Sequence, residues 1–455
     1  MRLSSDHYKK ARIARDPRFD GKFFVAVKTT GIYCRPICPA TTPREENVTY
    51  FLTAMEAANA GYRPCLRCRP DSAPGSPAWR GVNATVDRAI KLIDEGALDN
   101  GSVGDLAARL GVSSRYVRQL FKKHLGFSPK AYALYQKCLF AKKLLHQTDL
   151  PITHVALASG FNSIRRFNDC FQSQLNLTPS QIRKSGVGTL NNIDLQLFYR
   201  PPYNWPFVSR FFSVRMIPDL EWCNEQHYGR TFEWQGTKGR FTAEHMEHKN
   251  RFQVSIELES ARHLKAIVNN IRRLLDLDVD IQSVDHNLQP HFNGLNYREG
   301  LRIPGIWDAF EAGVRAILGQ QVSIQAARTH CTKLVHTLGE TLDGKIVFPT
   351  PKVLMNSELD FLNMPMARKN TLKDFAQYFV THRVTDQPDH WQQLKGIGPW
   401  TTDYAKLRGL SDPDIYLGTD LGIKKATDQI QSAVKPDKAS PWRSYLTLQL
   451  WNQLS

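Results

Sequence analysis

Residues Leu394–Ala426 read LKGIGPWTTDYAKLRGLSDPDIYLGTDLGIKKA. The triplet Gly396-Ile397-Gly398 between two apolar runs predicts a tight helix–hairpin–helix corner. Glycines there let the backbone approach a partner closely, and the amide N–H groups opening the next helix point outward, where a phosphate would sit. Twenty residues past Trp400 stands Asp420, at the start of another helical run. On its residues alone Asp420 has two evenly matched readings, a helix N-cap following Thr419 and a catalytic carboxylate.

The rest of the chain gives that corner a setting. At 455 residues it exceeds one core and should divide into three or four domains. A hydrophobic content of 42% is ample for folded domains, and a formal charge of +17 favours a polyanionic partner. Nucleic acid comes first and an anionic membrane surface second. No run approaches the roughly 20 apolar residues that span a bilayer. The opening MRLSSDHYKK has no signal-peptide hydrophobic region, so a soluble, cytoplasmic protein is expected. Residues 1–70 hold thirteen Lys/Arg against six Asp/Glu. From Leu106 to Thr148 there are nine Lys/Arg and no acid. A merely solvated helix face usually mixes acids among its bases, so this stretch reads as a nucleic-acid face.

Four of the eight cysteines form one pattern, Cys34-x3-Cys38, then 26 residues, then Cys65-x2-Cys68. Two close pairs at this separation can converge tetrahedrally on one Zn²⁺. Disulfides compete, but a cytoplasmic setting disfavours them. Cys138, Cys170, Cys223 and Cys331 are scattered and read as ordinary buried residues. The surroundings, TTGIYCRPICPATTPREEN and GYRPCLRCRPD, closely resemble the amino-terminal zinc domain of the Ada methylation-damage sensors. That resemblance implies that Cys34, the first cysteine of the quartet, takes a methyl group irreversibly from a DNA methylphosphotriester; spacing alone does not choose among the four. Coordination keeps the sulfurs as thiolates, and methylating one removes a negative charge facing the phosphates, which strengthens DNA binding. A zinc site that only staples the small domain is the alternative on fold grounds. Thr30, Arg63 and Arg67 lie beside the quartet and are placed to grip the DNA backbone.

After a Pro/Ser/Gly linker, Asp71–Trp79, helical periodicity begins near Asn83. VGDLAARLGVSSRYVRQLFKKHLG turns at Gly111, sends Val117, Leu120 and Phe121 to the core, and lets Ser113-Ser114 cap the second helix. Arg115, Arg118 and Gln119 are left pointing outward. A second copy, ITHVALASGFNSIRRFNDCFQSQLNLTPSQIRK, turns at Gly160 and exposes Ser163, Arg165 and Arg166. Two such units joined by a helix resemble the AraC-type DNA-binding domain, whose closing signature GFNSIRRFNDCFQ and LTPSQIRK match. The resemblance implies promoter DNA and RNA polymerase as partners.

A break at Ser185–Asn192 starts the second half. LQLFYRPPYNW and RFQVSIEL read as strands, the latter alternating Phe252, Val254, Ile256 and Leu258 with polar residues. A helix over 261–275 follows, with Leu264, Ile267, Ile271 and Leu274 on one face; from about Leu301 onward the pattern is helical. Residues 193–455 resemble the AlkA-type 3-methyladenine glycosylases of the helix–hairpin–helix superfamily. The resemblance implies that Asp420 is the catalytic carboxylate and that Trp400, Tyr404 and Trp442, with Phe211 from the small domain, cage a cationic alkylated base. Trp400 stands where lyase-active relatives carry a Schiff-base lysine, so hydrolysis without strand cleavage is expected, and no iron–sulfur cysteine cluster occurs. Gln321 replaces a leucine wedge that fills the emptied base stack, and Leu421 replaces a tyrosine. Backbone carbonyls of the hairpin offer a monovalent-cation site.

The expected fold is therefore multidomain α+β. It has a small zinc α/β domain (1–75), an all-α double helix–turn–helix domain (83–185), an α+β small domain (193–300) and a mostly α helix–hairpin–helix glycosylase domain (301–455). The expected activity joins a monofunctional glycosylase acting on alkylated bases such as 3-methyladenine and 7-methylguanine in double-stranded DNA to a zinc–cysteine methyl acceptor controlling transcription. Two other readings compete: a regulator whose glycosylase half only binds DNA, opposed by Asp420 and its aromatic neighbours, and a front half serving as a tether, opposed by the cysteine quartet. The Pro-Cys-His-Arg acceptor of alkylguanine methyltransferases does not occur, so direct alkylguanine repair is not expected.

Overall fold

The computed structural model describes residues 5–15, 19, 22–38, 40–52, 56–57, 60–65, 84–175, 177–183, 193–292, 296–382, 384–430 and 435–453. Cys68, Arg67, the linker Asp71–Trp79 and the break Ser185–Asn192 lie outside the described residues. The chain divides into two compact units, Met1–Thr189 with Ala261–Ala266, and Leu190–Ser260 with Ile267–Ser455. No helix among the described residues is long and apolar enough to cross a membrane.

The first unit opens with helix α1 (Ser5–Ile13) and a sheet ordered β3-β1-β2-β4, from strands β1 (Phe24–Val27), β2 (Ile32–Cys34), β3 (Val48–Phe51) and β4 (Arg63–Pro64). β1 pairs antiparallel with β2 and β3, whereas β4 runs parallel to β2, Tyr33 opposite Pro64. Successive residues of a strand face opposite sides. Phe24 and Ala26 accordingly pack with Tyr33, while Phe23 and Val25 pack with Ala11. Among the described residues seven helices follow: α2 (Ala84–Asp94), α3 (Val103–Leu110), α4 (Ser114–Leu125), α5 (Pro129–Gln147), α6 (Ile152–Ala158), α7 (Ile164–Leu175) and α8 (Pro179–Ile182). Gly111 and Gly160 take positive φ (69° and 81°), as the two turns require. The long α5 joins the two helix–turn–helix units. From it Lys137 pairs with Asp99 at 2.9 Å, and the Tyr135 hydroxyl hydrogen-bonds that of Tyr33 in β2.

In the second unit a five-stranded antiparallel sheet has the order β5-β9-β8-β7-β6. Its strands are β5 (Ile193–Phe198), β6 (Glu221–Cys223), β7 (His227–Trp234), β8 (Thr237–Met246) and β9 (Arg251–Leu258). β9 matches the expected strand. The other expected strand stops at Phe198, because Pro201 and Pro202 have no N–H to offer a ladder, and Asn204 instead caps helix α9 (Trp205–Arg215) through the Phe207 N–H. β6 to β8 escape an apolar-alternation reading because two of them bury charge. Glu221 and Arg230 join Glu311 and Arg315 in a buried network, Arg230 reaching Glu311 at 2.7 Å and Arg315 reaching Glu221 at 2.7 Å.

Helix α10 (Leu264–Leu274) carries the four apolar residues expected on one face, all fully buried, and starts after a 3₁₀ turn at Ala261–His263; α11 (Ile281–Leu288) follows it. The helical core is then built from α12 (Ala309–Gly319), α13 (Ile324–Leu338), α14 (Pro351–Met355), α15 (Met366–Thr381), α16 (Pro399–Gly409), α17 (Leu421–Ile430) and α18 (Arg443–Asn452). A two-stranded hairpin, β10 (Thr341–Leu342) with β11 (Lys345–Ile346), interrupts it. α12 lies close enough to α16 that a Cβ on Gly409 would come within 2.6 Å of the Ala312 methyl. This contact fixes α16, and with it the hairpin, against the core.

Candidate active site and metal centre

The hairpin is set by two close approaches. Gly396 takes φ 89°, and a Cβ there would lie 2.3 Å from Thr371 Oγ1. That hydroxyl is 3.0 Å from the Lys395 carbonyl, so α15 holds the turn from behind. From the front, Gln320 donates to the Gly396 carbonyl at 2.9 Å and to the Thr401 hydroxyl at 3.0 Å. The next residue, Gln321, is exposed and takes φ 55°, a strained value for a residue with a Cβ. α16 begins at Gly398 with Pro399 in its first turn and no side-chain cap.

Asp420 serves as the N-cap of α17, and its carboxylate does more than cap. Oδ1 accepts from the Gly422 and Ile423 N–H groups at 2.9 and 3.1 Å and from the Trp451 indole at 3.1 Å. Oδ2 accepts from the Trp400 indole at 3.0 Å. A carboxylate has about four lone-pair sites, so Oδ2 keeps the more open position. Trp400 stacks on Tyr404 with centroids 5.4 Å apart, and Arg408 donates to the Tyr404 hydroxyl at 2.8 Å. The Arg408 guanidinium lies 4.7 Å from the centre of the Phe211 ring, and Phe211 meets Trp451 at 5.9 Å. The contacts thus close a circuit: Asp420, Trp400, Tyr404, Arg408, Phe211, Trp451 and back to Asp420. Arg215 adds a second guanidinium over Phe211 at 3.7 Å. Burial pushes its pKa down to about 10, with Tyr404 opposing and Arg408 reinforcing the shift. It remains a cation at neutral pH.

The structure brings Asp420, Trp400, Tyr404 and Phe211 together, but the further ring in this cluster is Trp451, not Trp442, which was expected in the cage. Trp442 is buried just before α18, its ring edge-on to Tyr445 at 6.0 Å. Trp451 stands nine positions further on, about two and a half turns, and so faces the other way. That spacing, weighed on a helix whose N-terminus sits at Arg443, was the available signal. Arg408 and Arg215 were missed as well: a lone arginine in a helix carries no signature. Leu421 is 68% exposed beside Asp420 and adds no aromatic surface.

In the first unit, Cys34 at the end of β2, Cys38 in the following turn and Cys65 after β4 place their sulfurs within 4.8 Å of one another. The parallel β2–β4 pairing does this, since the Cys65 N–H donates to the Tyr33 carbonyl at 2.9 Å. Three converging thiols with a fourth cysteine three residues beyond Cys65 suit a soft, tetrahedral Zn²⁺. Thr30 is exposed and Arg63 half-buried in this region. Arg115, Arg118 and Gln119 on α4, and Ser163, Arg165 and Arg166 at the start of α7, are all exposed. The Ser113 and Ser163 hydroxyls accept from the Tyr116 and Arg166 N–H groups, each at 3.2 Å; the first is the expected cap, and the second gives Ser163 the same role.

These features match known domain families in the same order. The metal-binding domain of Ada matches residues 7–71, a helix-turn-helix domain residues 106–185, and the AlkA N-terminal domain residues 194–308. A metal centre and two helix–turn–helix units, followed by a hairpin with a carboxylate held between indoles, define a multidomain DNA-repair and transcription-regulating protein. The chain is 34% identical to the probable bifunctional transcriptional activator/DNA repair enzyme AlkA of Mycobacterium tuberculosis, over 97% of this chain and 95% of that one. It belongs to that family. DNA-3-methyladenine glycosylase 2 of Escherichia coli is 32% identical over 56% of this chain and 95% of its own length. The bifunctional transcriptional activator/DNA repair enzyme Ada of Escherichia coli is 32% identical over 40% of this chain and 50% of its own.

Proposed function

We propose that the second unit hydrolyses the N-glycosidic bond of alkylated purines such as 3-methyladenine and 7-methylguanine in double-stranded DNA. The observation that carries this is Asp420, held by the Trp400 and Trp451 indoles, with one hydrogen bond on Oδ2 against three on Oδ1. As the bond from C1′ to the base nitrogen breaks, its electron pair leaves with the base and positive charge develops on the sugar. The negative charge of Asp420, oriented by the two indoles, offsets that charge, and water then adds to C1′. The indoles of Trp400 and Trp451 and the Tyr404 ring offer electron-rich faces to a cationic base. Gly396 and Gly398 at the hairpin grip the DNA backbone, and Gln321, poised on its strained turn, fills the emptied stack. The Lys395 and Gly396 carbonyls, each with one lone pair engaged, keep a second for a monovalent cation.

The first unit senses the same damage. Zinc, when bound by Cys34, Cys38, Cys65 and Cys68, holds the sulfurs as thiolates. Cys34 attacks the methyl carbon of a DNA methylphosphotriester; the S–C bond forms, the O–C bond breaks, and its electron pair restores a phosphodiester anion. Thr30, Arg63 and Arg67 hold the backbone. Arg115, Arg118, Gln119, Ser163, Arg165 and Arg166 then read promoter DNA, and RNA polymerase is the partner in activation. Residues 1–75, 83–185, 193–300 and 301–455 form the four domains of a cytoplasmic protein. The test incubates duplex DNA bearing radiolabelled methyl groups with wild type and Asp420→Asn, scoring released bases and label on the protein. Release by wild type alone, with both proteins labelled, is the expected result; undiminished release by Asp420→Asn overturns the assignment.

A further inference from the structure

Helix α12 is set in the core by Val314, Ile317 and Leu318, all fully buried, and it ends at Gly319. The next residue, Gln320, is half-buried and turns its carboxamide onto the hairpin. The side-chain amide has two N–H groups, and both are engaged: one by the Gly396 carbonyl at 2.9 Å, the other by the Thr401 hydroxyl at 3.0 Å. Gly396 is the turn itself, and Thr401 lies in the first turn of α16, next to Trp400. One side chain therefore joins a core helix to the hairpin turn and to the helix that follows it. None of the steps above uses this contact.

Gln321, one residue on, takes φ 55° with its side chain exposed. Left-handed backbone at a residue with a Cβ persists only where the surrounding structure enforces it. Gln320 holds the chain on one side. On the other, Ser323 caps α13 by accepting from the Ala326 N–H at 3.2 Å. Only Gln321 and Val322 lie between these two fixed points. A residue entering the base stack must displace a lesion that is still stacked and paired, and extrusion is easiest where no partner base opposes it. We propose that Gln320 is a positioning residue that makes the hairpin's grip on the DNA backbone and the entry of Gln321 into the stack a single rigid movement, and that excision depends on it most where the lesion faces a partner base. This rests on the glycosylase reading above.

The test measures single-turnover release of 7-methylguanine placed opposite cytosine or opposite an abasic tetrahydrofuran spacer. Gln320→Met keeps the length of the side chain without its donors, and Thr401→Val removes one of the two acceptors. Opposite cytosine, release by Gln320→Met should fall about tenfold or more, as expected when a buried carbonyl loses its donor. Opposite the spacer it should stay within about twofold of wild type. Thr401→Val should show a smaller loss with the same preference. In a Gln321→Ala background, Gln320→Met should add nothing further, because the two residues act through one step. Equal losses on both duplexes, or losses that add in the double variant, would overturn the role of Gln320 and leave the glycosylase reading standing. A wild type that releases no base from either duplex overturns that reading as well.

Discussion

Trp451 donates its indole N–H to Oδ1 of Asp420, while Trp400 reaches Oδ2 from the other side. The carboxylate is therefore fixed in its plane by two rings from separate helices, α18 and α16, as well as by the backbone of α17. Orientation of this kind lets a charge act at the moment of reaction without reorganising.

Trp451→Phe keeps a ring beside Phe211 and removes one hydrogen bond to the carboxylate. Base release should drop by about ten- to a hundredfold, in line with losing a bond to a charged group of about 1.5–3 kcal/mol. Trp442→Phe should leave release rates unchanged and lower thermal stability, because Trp442 is buried against Tyr445. Single-turnover rates and melting curves of the two variants separate the roles. Equal activity losses would place Trp442 in the site after all.

Capping and charge can be pulled apart at Asp420. Asparagine caps a helix about as well as aspartate, so Asp420→Asn should melt close to wild type while base release falls by several orders of magnitude. Asp420→Ala loses both functions and should also cost about 1 kcal/mol of stability. Hydrogen exchange of the Gly422 and Ile423 amides is the direct measurement, protected in Asp420→Asn and fast in Asp420→Ala.

What the sequence disclosed depended on the length of the pattern involved. The turns of the two helix–turn–helix units were readable, because Gly111, Gly160 and the Ser113 cap are local signals with local causes. β9 was readable from its alternation. β6 and β7 were not, since Glu221 and Arg230 occupy core positions that only a distant pair, Glu311 and Arg315, makes tolerable. Asp420 and Trp400 were found because they flank one continuous motif. Trp451 reaches them from 31 residues beyond Asp420, a distance at which no periodicity speaks.

Chelation should act on one unit only. Stripping zinc leaves Cys34, Cys38 and Cys65 as thiols whose convergence is no longer held by a metal, so the small sheet around β2 should lose exchange protection. Methyl transfer should vanish with it, while base release by the second unit continues. Elemental analysis should return one zinc per chain. Cys34→Ala should likewise accept no methyl group; transfer undiminished in that variant removes Cys34 from the role.

Gly160 and Gly126 form a matched pair of positive-φ positions, 81° and 79°. A Cβ at Gly126 meets nothing within 4 Å, whereas one at Gly160 falls 2.8 Å from the Asp99 carboxylate that pairs with Lys137. Gly126→Ala should therefore cost only the left-handed conformation, about 1–2 kcal/mol. Gly160→Ala should cost this and a disturbed ion pair, on the order of 3 kcal/mol or more in all. Thermal melts of the two variants, with promoter-DNA binding as the second readout, test the difference. Equal losses would mean that Asp99 and Lys137 yield without penalty.

Glu221 gives the second unit an acid-sensitive core. Burial pushes its carboxyl up, but the Arg315 and Arg230 guanidiniums outweigh this and hold it at about 2. Its folded pKa therefore lies below the unfolded value of 4.5, so the stabilisation is complete above pH 4.5 and disappears as pH falls toward 2. The shift corresponds to a contribution on the order of 3 kcal/mol. Asp276 and Asp308 act in the opposite sense: burial raises each to about 6, so their contribution favours the folded state at low pH and is lost as pH rises through 6. The wild-type profile mixes both trends, and Glu221→Gln isolates the first. The penalty of that substitution, read from hydrogen exchange in β6 and β7, should be constant from pH 7 to 5 and shrink steadily below pH 4.5. A penalty that grows on acidification would mean that the two arginines do not hold Glu221 ionised in the folded protein.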